Sequence, residues 1–114
     1  MQRTYRLKMG KIKISDIKIK AAPVLKKHGI KKAAIFGSFV RGEDHKNSDI
    51  DFLVEFIDRD NKTLLDLIGL ELDLEEIFNR KVDVITYNSI HPLLKEYILR
   101  EQDVFYEEKS KNIS

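Results

Sequence analysis

Gly37 and Ser38, followed ten residues later by Asp49-Ile50-Asp51, set a tight glycine turn at a fixed distance from two carboxylates. A site that handles phosphate through a metal ion needs those two halves. Side chains at i and i+2 point to one face of a strand, so the spacing predicts Asp49 and Asp51 side by side, with Ile50 entering the opposite, apolar face. Carboxylates held that close repel unless a cation sits between them. Hard oxygen ligands favour Mg²⁺ or Mn²⁺, and Mg²⁺ is commonly held by one or two carboxylates together with substrate phosphates. The chain has no Cys, and His28, His45 and His91 are scattered without metal-ligand spacing, so a zinc site is not expected.

The glycine turn supplies the complementary half. Without a Cβ at Gly37 the backbone can approach a ligand closely, and amides at a turn leading into a short helix form a nest for an anion. Ser38 can add a hydroxyl to the same phosphate. Arg41 offers a fixed-charge fork to phosphate oxygens or to a carboxylate of the site, and Gly42 lets the loop leave sharply. A third acid, Asp83, lies on the polar phase of the alternating segment Lys81 to Thr86. If that strand pairs beside the one carrying Asp49 and Asp51, three carboxylates converge and can hold two metal ions. Neither the pairing nor its register follows from sequence. A lone Gly-Ser is a common turn and a lone D-x-D a common solvated strand face. Together, in this order and on alternating apolar strands, they read as one site.

The pattern G-S-x10-D-x-D, with Arg41-Gly42 just after the turn and Ser48-Asp49-Ile50-Asp51 at its end, resembles the minimal nucleotidyltransferases of the polymerase-beta superfamily. More narrowly, the chain resembles the antitoxin members of that group, encoded in prokaryotes beside toxins of the HEPN class. The likeness extends to a Pro-containing helix before the first strand, to Asn79 to Thr86, and to Ile98 to Glu101 before a last strand, covering about residues 15 to 108. The resemblance implies that the Gly37-Ser38 turn binds nucleotide phosphates and that Asp49, Asp51 and Asp83 bind Mg²⁺. It further implies transfer of AMP from ATP to a tyrosine of the cognate HEPN toxin, which is thereby neutralised. Val40 departs from the smaller residue expected there, which bears on turn packing and not on chemistry. Two other readings use the same residues: an antitoxin that neutralises by binding alone, and a transferase acting on a small molecule or a nucleic-acid end.

At 114 residues the chain can bury one modest core, and little is left for a separate acceptor-binding domain, so the acceptor is expected on a partner. The absence of Cys removes disulfide and thiol chemistry. No long apolar run or signal-peptide core is present, and cytoplasmic residence without membrane attachment is the expectation. Residues 1 to 32 hold eleven Lys and Arg against Asp16 alone, while the rest holds ten basic and eighteen acidic groups. Of the charge's two readings, nucleic-acid steering and a solvated arm with a solvated helix face, the second fits better. Only Tyr5 interleaves with the charge as a stacking platform would require. Met9 offers an alternative start.

The remaining elements must position the site. Residues 1–14 read as a basic arm, 15–108 as the nucleotidyltransferase domain and 109–114 as a frayed tail. Ser15 can cap a helix carrying Ile17, Ala21, Val24, Leu25 and His28, with Pro23 kinking it and Gly29 at its exit. The first strand runs from Lys31 to Phe36, and His45 lies exposed in the polar loop that follows the turn. Thr63 to Phe78 is a helix apolar around well over half its circumference, which predicts two apolar neighbours: a later helix of the same domain, or a dimer or toxin interface. Glu71 and Glu75 interrupt that arc and predict a rim or a partner's basic groups. A last helix spans Ser89 to Glu101 with Pro92 in its first turn, then a strand from Asp103 to Tyr106. The order αββαβαβ predicts an α+β fold, a mixed sheet of the polymerase-beta palm type with helices packed against it.

Overall fold

The structure, a computed structural model, describes residues 12–45 and 48–108. Most of the basic arm and the tail from 109 lie outside the described residues. The helix α1 (Ile14–Lys27) leads into β1 (Ile30–Phe36), and the short α2 (Ser38–Arg41) precedes β2 (Ile50–Phe56). Then come α3 (Leu64–Phe78), β3 (Val82–Thr86), α4 (Pro92–Glu101) and β4 (Asp103–Glu107). The sheet order is β3-β2-β1-β4. β1 runs antiparallel to β2 and β4, whereas β2 and β3, joined by a full helix, run parallel. The mixed α+β sheet is the one expected, with α2 added after the glycine turn.

The period-2 alternation of the strands divides the core. Ala33, Ile35, Phe52, Val54, Val82 and Val84 face α1 and α3, where Ile17, Ala21, Leu25, Leu70, Leu74 and Phe78 are buried against them. Ala34 and Leu53 point the other way and are covered by Ile90, Ile98 and Leu99. Asp51 and Asp83 share the parity of Leu53 and Ile85, so the acids belong to the face that α4 covers. Leu74 is fully buried between α3 and the sheet. Leu74→Ala is expected to cost about 2–5 kcal/mol, read as a lowered urea midpoint at unchanged slope.

Several local expectations change for identifiable reasons. α1 begins one residue before Ser15 because the Lys13 carbonyl accepts the Asp16 and Ile17 amides, and Ile12 and Ile14 pack on the core. Gly29, at φ +72°, takes the turn after it. The helix continues through Pro23 to Lys27. Pro23 denies the Ile19 carbonyl its usual donor on a turn where Ile19 is exposed to water. His28 is neither ligand nor bystander: its Nε2 meets Asp73 Oδ2 at 2.7 Å and ties α1 to α3. α4 starts at Pro92 and not at Ser89, since Tyr87–Ser89 forms a separate 3₁₀ turn and His91 Nδ1 accepts the Leu93 amide at 3.1 Å. Val40 fits, partly buried against the core.

The apolar excess of α3 is only partly covered. α1, an earlier helix and not a later one, packs on it, while Leu64, Leu65 and Leu72 stay more than half exposed. Glu71 and Glu75 turn toward the sheet: their Oε2 atoms accept the backbone amides of Val84 and Val82 at 3.1 and 3.2 Å. Two acids expected at a rim therefore serve β3. Among the described residues no helix is long and apolar enough to cross a membrane.

Candidate functional site

β1 ends at Phe36, which pairs with Asp51, and the chain then turns at Gly37 directly under the Asp51 carboxylate. Gly37 sits at φ +84° and ψ −151°, a region that only glycine enters readily. A Cβ built there would collide with Asp51 Oδ2. The turn and the acid are thus fitted to one another before any ligand arrives. Gly37 accepts the amides of Val40 and Arg41 through its carbonyl, which winds Ser38–Arg41 into a helical turn and puts Ser38 on the same cavity as Asp49 and Asp51.

Ser38, Arg41, Asp49 and Asp51 line one open cavity of about 420 Å³, with His45 and Ser48 on its loop side. Asp49 is the residue before β2 and not part of the strand, yet it reaches the same space as Asp51. Its place is fixed from behind. Ser48 is buried, its hydroxyl accepts the His45 amide at 2.7 Å, and its carbonyl accepts from Arg80 Nη1 at 3.1 Å. Asp83 is the direct register partner of Asp51 across the parallel β2–β3 pair, and Lys81 Nζ stands 3.6 Å from its Oδ1. The strand pairing left open by the sequence is therefore the one that brings the acids together. His45 and Arg80 are site residues that sequence reasoning missed; an exposed loop His and a half-buried Arg carry no spacing signal.

Arg41 lines the same cavity and is held there by two carboxylates. Its Nε donates to Glu43 at 2.8 Å and its Nη1 to Glu101 at 2.9 Å, and these bonds raise its already high pKa. Glu101, which in the sequence stands out only as part of the likeness before the last strand, accepts the Gly37 amide at 3.1 Å with its other oxygen. Burial pushes the Glu101 carboxyl up, but the Arg41 and Gly37 hydrogen bonds outweigh it and hold the pKa below its usual value.

The electrostatics of the acids fit a cation. Asp51 is pushed up to about 6, first by burial, then by the charges of Asp83 and Asp49 and by a hydrogen bond shared with Asp83, with Arg41 pulling it down. Among the described residues no three His, Cys, Asp or Glu side chains are grouped to hold a metal ion unaided. Mg²⁺ is usually held by one or two carboxylates, with water and phosphate oxygens completing its shell. Asp51, Asp83 and Asp49 present hard, mutually repelling oxygens of the kind it takes.

A pH dependence follows. Because the folded pKa of Asp51 is raised, the native state holds a proton that the unfolded chain releases, so this contribution is complete below about pH 4 and lost as pH rises through about 6. In the metal-free protein the thermal midpoint is expected to fall by about 2–5 °C between pH 4.5 and 7.5, discounted for partial solvation. Asp51→Asn should flatten that fall. Asp66 and Asp73, with lowered values, act in the opposite sense at lower pH.

A larger cavity of about 700 Å³ lies at the opposite end of the strands, between Lys32, Phe56, Arg59, Lys62 and Tyr87. Glu55 and Asp60 line it, but Asp49, Asp51 and Asp83 do not, so the candidate site is the smaller one.

Comparison with known proteins bears on the family and the fold. The family model for polymerase beta nucleotidyltransferases matches residues 18–111. A protein of Methanocaldococcus jannaschii, provisionally named a protein adenylyltransferase, is 57% identical over 88 residues, 77% of this chain and 92% of that one. A solved structure provisionally described as a minimal nucleotidyltransferase superposes with a TM-score of 0.69 at 33% identity, over 81% of this chain and 95% of that one. The solved structure of a tri-AMPylated Shewanella oneidensis HEPN toxin in complex with MNT antitoxin gives a TM-score of 0.64 at 17% identity. It covers 82% of this chain and 72% of that one and shares the fold.

Proposed function

We propose that this chain, which belongs to the polymerase beta nucleotidyltransferase family, is a protein adenylyltransferase of a toxin–antitoxin pair. It moves AMP from ATP to a tyrosine hydroxyl of a cognate HEPN toxin in the cytoplasm and so neutralises it. The observation that carries this reading is the placing of Ser38, Asp49 and Asp51 on one cavity, with Asp83 in register beside Asp51. The name of the Methanocaldococcus relative supports transfer to protein, and the AMPylated HEPN toxin of the Shewanella complex supports the acceptor class.

In this reading the Gly37-Ser38 turn receives the triphosphate, and Asp49, Asp51 and Asp83 hold two Mg²⁺ ions. Bound Mg²⁺ supplies charge for the phosphate oxygens and acidifies the attacking hydroxyl. Asp49, Asp51 and Asp83 are the residues that would hold the metal. The acceptor oxygen attacks the α-phosphorus, the bond from that phosphorus to the bridging oxygen breaks, and pyrophosphate leaves. The hydroxyl proton passes to half-exposed Asp83. Ser38 and its amide meet the phosphate charge with dipoles already in place.

Intact mass spectrometry of the partner toxin after incubation with this protein, ATP and Mg²⁺ tests the proposal: one or more AMP masses are expected on the toxin. Neutralisation by binding alone is the second reading, favoured by the exposed stripe of Leu64, Leu65 and Leu72 on α3. An unmodified but inhibited toxin in a stable complex would decide for it.

A further inference from the structure

Glu101 closes α4, 64 residues after Gly37, yet its carboxylate joins the glycine turn to the arginine of the site. Oε1 accepts the Gly37 amide at 3.1 Å, while Oε2 accepts Arg41 Nη1 at 2.9 Å and the Tyr97 hydroxyl at 3.2 Å. The side chain is only 11% exposed. A carboxylate on an amide and a guanidinium imitates a bound phosphate, so it could be a competitor for the nucleotide or a brace behind the nucleotide's seat.

Position decides between them. Ser38, Arg41, Asp49 and Asp51 line the cavity, and Glu101 does not. It reaches Gly37 and Arg41 from α4, on the protein side. We propose that Glu101 is a positioning residue for nucleotide binding, acting through Gly37 and Arg41; this rests on the nucleotidyltransferase reading of the site. Two physical needs are met at once. The backbone of Gly37 lies in a sparsely populated region that persists only where its surroundings over-determine it, and a hydrogen bond to a nearly buried carboxylate contributes to that. Arg41 is a long, exposed side chain, and clamping Nε on Glu43 and Nη1 on Glu101 fixes its fork at the cavity while Nη2 stays available to a phosphate oxygen.

The test is calorimetric binding of ATP with Mg²⁺, alongside kcat and KM for toxin modification, in the wild type, Glu101→Ala and Glu101→Gln. Glu101→Ala is expected to raise Kd and the KM for ATP by about tenfold, with kcat changed by less than about threefold. Glu101→Gln keeps an oxygen for the Gly37 amide but loses the charge on Arg41, so it should fall between the two. The Gln variant also carries the test if the Ala variant does not fold. Tighter ATP binding in either variant would mean that Glu101 competes with the nucleotide and would overturn the proposal. Unchanged Kd in both, with a lowered thermal midpoint, would reduce Glu101 to a fold contact and overturn it too. Failure of the wild type itself to bind ATP with Mg²⁺ would sink the nucleotidyltransferase reading along with it.

Discussion

The double variant Asp49→Asn, Asp51→Asn is expected to abolish AMP transfer, by at least about a thousandfold, while folding as well as the wild type or better. The loss follows from charge. The variant keeps the shape of both side chains but removes two of the three anions that would hold the cations, and a neutral amide cannot neutralise them. The gain in stability follows from the same charges: Asp51 is strained by burial and by Asp83 and Asp49, so removing its charge relieves repulsion at neutral pH. Intact mass of the toxin gives the first result and thermal melting without metal gives the second. A variant that was inactive and also unfolded would say nothing for the acids as catalysts. One that still modified the toxin would remove them from the mechanism.

Gly37→Ala has the second largest expected effect, although it adds a single methyl group. The new Cβ meets Asp51 Oδ2, and a backbone at φ +84° and ψ −151° excludes an L side chain. Relief can come from turning the Asp51 carboxylate aside or from refolding the turn, and either displaces a component of the site. A loss of about 1–3 kcal/mol in stability and at least about a hundredfold in transfer is expected. Gly42→Ala is the control. Gly42 also has positive φ, at +75°, but a Cβ there meets nothing within 4 Å, so it should lose stability without a comparable loss of transfer.

Gly37, Asp49 and Asp51 were legible in the sequence because a glycine turn and paired aspartates at this spacing have few other reasons to stand together on apolar, alternating strands. The partnership of Asp51 with Asp83 was not. Parallel register is set by how α3 lies across the sheet, which depends on Leu70, Leu74 and Phe78 finding the face of β2 and β3. Glu101 was hidden for another reason: a glutamate in the last turn of an exposed helix has no pattern to distinguish it until α4 is seen to end beside Gly37. Glu71 and Glu75 were misread because interruptions of an apolar arc look alike from sequence whether they face solvent or the edge of a strand. Arg41 was placed at the site, but its partners, Glu43 and Glu101, depend on the fold.

The bonds from Glu71 and Glu75 to the amides of β3 have a consequence for how an acceptor can arrive. β3 is an outer strand, and a free outer strand is a template on which another chain can add itself. Here two of its outward donors, at Val82 and Val84 on either side of Asp83, are already satisfied from within the molecule. A peptide laid alongside would have to break both before it gained anything. Strand addition beside Asp83 would cost both of these bonds. The same holds for a second copy of this protein: pairing its sheet through Val82 and Val84 would require Glu71 and Glu75 to let go first.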